Sequence, residues 1–190
     1  MKTRFAVLLA SAALLVTADA ASAKEILGVG TPDATQFRAK ATASDAFEVL
    51  SSKIALTHAT DPDLKMFAQM MIDDHTRSTD RLVALGGISK ASLVSKMKPG
   101  GDGKYAANDL LESDRANELN SLDSKSNGDF NRTYIDDQVK GHQDAVSLLE
   151  DYAKNGDNDK LKAFAASILP TVKAHLAKAQ RLQKVIEHQS

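Results

Sequence analysis

The sequence predicts an all-α protein: an antiparallel bundle of four long helices, with a short extra helix in the connection between the second and the third. Two observations carry this. Apolar residues recur at alternating steps of four and three along four long segments, the spacing of a helix–helix seam. Turn-forming clusters of Asp, Asn, Gly and Pro separate those segments. A short repeat adds a third: Leu64-Lys65-Met66-Phe67-Ala68 matches Leu161-Lys162-Ala163-Phe164-Ala165. Each copy follows a long helix and an Asp-rich turn, as two related helical hairpins packed with pseudo-twofold symmetry would require.

The chain opens with residues 1–23, which read as a secretory signal peptide and not as part of the fold. Lys2 and Arg4 give a basic start, Phe5 to Val16 an apolar run too short to span a bilayer, and Ala21-Ser22-Ala23 an A-x-A cleavage site. Ala18-Asp19-Ala20 is a second possible cut. The expectation is a periplasmic or secreted protein after cleavage near Ala23, with no lipid anchor and no stable membrane insertion. Residues 24–34 read as a flexible lead-in containing Gly28, Gly30 and Pro32, and residues 35–188 as the bundle domain.

The first predicted helix begins near Asp33. Phe37, Ala41, Ser44, Glu48, Ser51 and Ala55 form its stripe, widened by Phe47, Leu50 and Ile54. Asp61-Pro62-Asp63 ends it and starts the second, since aspartate suits an N-cap and proline a first turn. Leu64, Ala68, Met71, His75, Ser78, Leu82 and Leu85 make the clearest seam in the chain, stopped by Gly86-Gly87. Residues 88–108 read as the least ordered interior stretch, with a turn cluster from Pro99 to Gly103, and residues 109–124 as the short extra helix. Asn127-Gly128-Asp129 reads as a further break. The third long helix then runs from about Phe130 to Lys154, with Ile135, Gln138, His142, Ala145, Leu149 and Tyr152 on one seam. The fourth starts near Asp159 and carries Leu161, Ala165, Ile168, Val172, His175, Ala179, Leu182 and Ile186, with Pro170 expected to kink it.

Composition removes several classes of function. The formal net charge is −1, and removing Lys2, Arg4 and Asp19 with the leader makes it −2, so there is no basic field for nucleic acid. No cysteine is present, which excludes disulfides, thiolate metal sites and cysteine catalysis.

What remains is a set of polar residues on apolar seams. His75, His142 and His175 lie on the seams of three different helices, and Glu48 lies near the seam of the fourth. Burying an imidazole is costly unless both nitrogens find partners. For one seam histidine a satisfied structural role is the ordinary explanation. Three, with a carboxylate level with them, point to a metal site. Glu48 lies 13 residues before Asp61 and His75 lies 14 after it; His142 lies 15 before Asp157 and His175 lies 18 after it. At about 1.5 Å of rise per residue those heights agree within roughly a turn. Zinc is the first expectation, since imidazole and carboxylate suit it without redox demands; iron, copper and manganese are the others. Asp45, Asp74, Tyr134, Asp137 and Gln138 are expected to orient the ligands. Asp73-Asp74 reads as a solvated face, His58 and His188 as surface residues, and Met66, Met70 and Met71 as core filling.

Phe67-Ala68-Gln69-Met70-Met71-Ile72-Asp73-Asp74-His75 resembles the F-A-x-x-M-x-x-D-H signature of the domain of unknown function 4142 family. Phe130-Asn131-Arg132-Thr133-Tyr134 followed by His142 resembles its F-D-x-x-Y…H segment, with Asn131 where aspartate is common, and Leu169 to Leu176 resembles its L-P-x-x-x-x-H-L ending. Glu48 matches an acidic position upstream. The resemblance covers about residues 35–180 and implies an exported, ferritin-like four-helix bundle, but supplies no reaction. Ile72 and Val172 stand where a di-iron ferritin-like site would carry glutamate three residues before histidine, which argues against ferroxidase chemistry.

The leading expectation is therefore a periplasmic bundle with a mononuclear His/Glu metal site. The alternative is a non-enzymatic envelope stress or protein-interaction module without metal, using the polar 88–124 segment as its surface. Geometry separates the two: imidazole nitrogens that converge favour metal, scattered ones favour interaction.

Overall fold

A computed structural model describes residues 30–188; the expected signal peptide and residues 24–29 of the lead-in lie outside the described residues. Among the described residues there are six helices and no strand: α1 (Ala34–His58), α2 (Pro62–Ala84), α3 (Lys90–Lys96), α4 (Ser113–Asp123), α5 (Asn127–Asn155) and α6 (Asp159–His188).

The caps explain the helix boundaries. Asp33 accepts from the Gln36 N–H at 2.8 Å, and the Gln36 side chain accepts from the Asp33 N–H at 3.2 Å, a reciprocal capping box. Asp61 accepts from the N–H groups of Asp63 and Leu64, with Pro62 in the first turn. Gly86 and Gly87 both take φ +83°, a left-handed conformation that only glycine adopts without strain, so α2 ends there.

Packing follows the seams. α1 packs on α2 and α5 on α6; α1 also meets α5, and α2 meets α6, so each long helix touches two others. The apolar interior falls into two main clusters. One gathers Phe47, Leu50 and Ile54 of α1, Phe67 and Met71 of α2, Phe130 and Tyr134 of α5, and Ala179 and Ile186 of α6. The other gathers Phe37, Leu82, Leu149, Tyr152, Phe164 and Val172. Along every long helix the switch from one cluster to the other falls at a buried polar residue. These are Asp45 on α1, His75 on α2, His142 on α5 and His175 on α6, with Glu48 and Gln138 just inside the first cluster. The two copies of the short repeat sit in opposite clusters, Leu64, Phe67 and Ala68 in the first and Leu161, Phe164 and Ala165 in the second.

Two expectations need correction. The stretch 88–108 contains a helix, α3, whose N-cap is Ser89 and whose Leu93 packs with Ala46 and Leu110. The chain between α3 and α4 is held by side chains. Asn108 accepts from the N–H groups of Leu110 and Leu111, and Asn120 both accepts from the Tyr105 N–H and donates to its carbonyl. Leu111, Leu119 and Leu122 then join the first cluster, so this connection is part of the core. Asn127-Gly128-Asp129 is no break either: it is the first turn of α5, entered with Asn127 at φ 51°, a conformation asparagine tolerates. No described helix is long and apolar enough to cross a membrane.

Candidate metal centre

His75, His142 and His175 come from α2, α5 and α6 and meet between the two apolar clusters, each at most 4% exposed. Their ring centroids stand 5.5, 5.6 and 5.5 Å apart, a nearly equilateral triangle. One ring nitrogen from each lies within 4.8 Å of the other two.

Each ring has one nitrogen engaged and one without a partner. His75 Nδ1 donates to Asp45 Oδ1 at 2.8 Å, His142 Nδ1 to the Gln138 main-chain carbonyl at 2.8 Å, and His175 Nε2 to Asp74 Oδ2 at 2.9 Å. His75 Nε2, His142 Nε2 and His175 Nδ1 are buried and have no hydrogen-bond partner. A carbonyl can only accept, so His142 carries its proton on Nδ1 and presents a lone pair at Nε2. An acceptor behind each ring is the arrangement that orients a liganding histidine. The triangle also has the size of a coordination site. Its centre lies about 3.2 Å from each centroid, matching a Zn–N bond of about 2.0–2.1 Å plus about 1.1 Å from nitrogen to centroid.

Glu48 stands beside this triad. It is 2% exposed, its Oε1 lies 3.8 Å from His142 Nδ1, and its Oε2 has no partner. It reaches this depth because residue 141 is glycine: a Cβ there would lie 2.7 Å from Glu48 Oε1.

The electrostatics differ ring by ring. Burial pushes His142 down, against the opposing charge of Glu48. Burial and the neighbouring His75 push His175 down, to about 4. Burial also acts to lower His75, but its hydrogen bond to Asp45 and the charges of Asp45, Glu48 and Asp74 together outweigh it and raise the group. Two of the three imidazoles are thereby held neutral, the form that binds metal.

Of the residues expected to orient the triad, Asp45 and Asp74 do so through their side chains, whereas Gln138 acts through its main chain. Tyr134 instead shares a hydrogen bond with Ser52 inside the first cluster. Asp137 faces Glu118 and Arg115, away from the triad. Asp73 is exposed, but Asp74 is not merely a solvated residue, since it holds His175. His58 is no plain surface residue: it stacks on Phe130 at 5.4 Å and pairs with Asp123 at 3.1 Å. Met71 is fully buried, while Met66 is 60% exposed and fills no core. Sequence reasoning missed Thr79, whose hydroxyl donates to Asp45 Oδ2 at 3.0 Å. Its position one turn after His75 was the available signal.

These features define a helical bundle with a buried three-histidine cluster in its polar layer. Residues 17–182 match the family described as domain of unknown function DUF4142, and the chain belongs to that family. No curated protein matches the chain. Among solved structures it is similar to CopM in its Cu(II)-bound form, at 19% identity over 79% of this chain and 95% of that one, with a TM-score of 0.57. At that identity the likeness is one of fold.

Proposed function

We propose that this is a periplasmic metal-binding protein. Its ferritin-like four-helix bundle holds a single divalent transition-metal ion on His75, His142 and His175, with Glu48 as fourth ligand. The observation that carries the proposal is a buried three-histidine cluster with a ring nitrogen of each within 4.8 Å of the others, every ring having one partnerless nitrogen while its opposite nitrogen is held by an acceptor. Leaving such groups unsatisfied costs about 1–3 kcal/mol each, and one cation satisfies all three. Glu48 supplies the fourth ligand in this reading because it is a buried carboxylate beside His142 whose Oε2 has no partner. Export rests on the leader-like residues 1–23 with cleavage near Ala23.

Zinc remains the first choice, as three imidazoles and a carboxylate suit a redox-silent ion. Copper(II) belongs in the same test because it binds nitrogen sites most tightly among first-row divalent ions, and because CopM is described in a Cu(II)-bound form. The metal reading is preferred to the interaction-module reading because the three imidazoles converge rather than scatter.

Elemental analysis of protein recovered from its native compartment, followed by titration of the stripped protein with zinc and copper(II), tests the proposal. One tightly bound ion per chain is expected, lost in His142→Ala with helicity retained. A protein that is metal-free as isolated and takes up neither these ions nor iron(II) or manganese(II) overturns it.

A further inference from the structure

A cleft of about 280 Å³ opens to solvent between α2 and α6, and His75 and His175 form part of its wall. His142 does not line it. Small side chains leave this seam open: Ser78 on α2, with Ser167 and Thr171 on α6. Arg81 of α2 spans the seam, donating to Ser167 Oγ at 2.6 Å. The cleft has room for several waters.

Among the described residues, the triad's other neighbours are closed to solvent. Glu48 and Gln138 are buried beside His142, and the fully buried ring of Phe67 stands 6.5 Å from the His142 ring. The two apolar clusters fill the bundle on either side along its axis. An ion reaching the triad through any of these must part close-packed side chains. Through the cleft it displaces only water.

We infer that the α2–α6 cleft is the path by which the metal ion enters and leaves the triad, past His75 and His175 to His142 behind them, with Arg77 restraining the traffic. The inference rests on the metal reading above. It concerns the rates of exchange, not the coordination of the bound ion. The charged side chains lining the cleft balance, Asp45 and Asp74 against Arg77 and Arg81. Arg77 is largely exposed and donates to Asp74 Oδ1, while Asp74 Oδ2 holds His175. Its charge therefore meets an incoming cation and masks the carboxylate that would attract one.

Stopped-flow exchange on the stripped full-length protein tests this. Uptake of zinc, and of copper(II) in parallel, is followed with an indicator of free ion, and release with excess chelator. Thr171→Phe and Ser78→Phe fill the cleft from its two walls without replacing a triad residue. Either should slow uptake and release together by about tenfold or more, leaving their ratio, and so Kd, unchanged. Ala166→Phe places the same bulk on an exposed position of α6 outside the cleft and should exchange as the wild type does. Arg77→Gln should speed uptake about threefold at low salt, a gain that fades as ionic strength rises. If neither ion binds the wild type, the metal reading fails and the inference with it. If an ion binds but both filled variants exchange at the wild-type rates, the metal reading stands and the path is overturned. Equal slowing by Ala166→Phe overturns it as well. A wild-type uptake rate in Arg77→Gln at low salt overturns the role given to Arg77.

Discussion

At the scale of single residues, the centre depends on groups that carry no metal chemistry of their own. Gly141 is the sharpest case. It leaves the space that Glu48 occupies, since a Cβ there would approach Oε1 to 2.7 Å. Gly141→Ala should therefore destabilise the protein by about 1–3 kcal/mol, as overpacking does. It should also weaken metal binding by displacing the carboxyl. The double variant Gly141→Ala, Glu48→Ala should lose less stability than the two single changes added together, because removing the carboxyl relieves the clash. Strict additivity in denaturant melts would show that Gly141 does not seat Glu48. Asp137 offers a pH-dependent counterpart outside the triad. Burial, with the charge of Glu118 beside it, raises its carboxyl to about 6. The native state thus holds this proton to a higher pH than the unfolded chain does, so stability falls as pH rises from the ordinary carboxyl range through about 6. Asp137→Asn should raise the melting temperature at pH 7.5, by an amount equivalent to about 1 kcal/mol after allowance for solvent screening, and leave it unchanged near pH 4. A stabilisation equal at both pH values would rule out a titrating Asp137 as its cause.

At the scale of elements, the four long helices were legible because each carries an unbroken seam and a chemically ordinary cap. The placement of His75, His142 and His175 was legible for the same reason: a polar residue on an apolar seam has nowhere to point but inward. The apparent mismatch in height between His142 and His175 dissolves in the helix geometry. Side chains lean toward the N-terminus of their own helix. His142, nearer the α5–α6 turn, leans away from it; His175, farther away, leans toward it, and the rings close to 5.5 Å. No kink at Pro170 is needed for this meeting. The connection between α2 and α5 was not legible, because its order comes from long-range contacts. The pairing of Asn120 with the Tyr105 main chain and the docking of Leu93 on Ala46 have no periodic signature. Gln138 could not be recognised as a main-chain acceptor either, as its side chain is what a sequence displays. Leu119, fully buried on α4, tests whether this connection belongs to the core. Leu119→Ala should cost about 2–5 kcal/mol, the usual penalty for a cavity at a buried leucine. A loss below about 0.5 kcal/mol, typical of surface changes, would return the segment to the role of a linker.

At the scale of the whole molecule, the polar layer sits between two apolar clusters, each with its own aromatic packing: Phe67, Phe130 and Tyr134 in one, Phe37, Tyr152 and Phe164 in the other. Each fully buried large apolar side chain contributes about 1.5–3 kcal/mol, and neither cluster needs the centre to exist. A metal ion bound as proposed would tie α2, α5 and α6 together and so join both hairpins. Binding to the native state alone adds RT ln(1 + [L]/Kd), about 2.7 kcal/mol at a hundredfold excess over Kd. For a domain of this length that corresponds to a rise in melting temperature of roughly 5–10 °C. Stripping the metal with a chelator should remove this increment yet leave the far-ultraviolet helical signal at room temperature intact, unlike a zinc finger, whose fold is its metal site. His142→Ala should show the lower melting temperature with or without added metal. Collapse of helicity on chelation at room temperature would mean that the two apolar clusters cannot hold the bundle alone. An undiminished metal-induced rise in His142→Ala would mean that the ion binds somewhere other than between the hairpins.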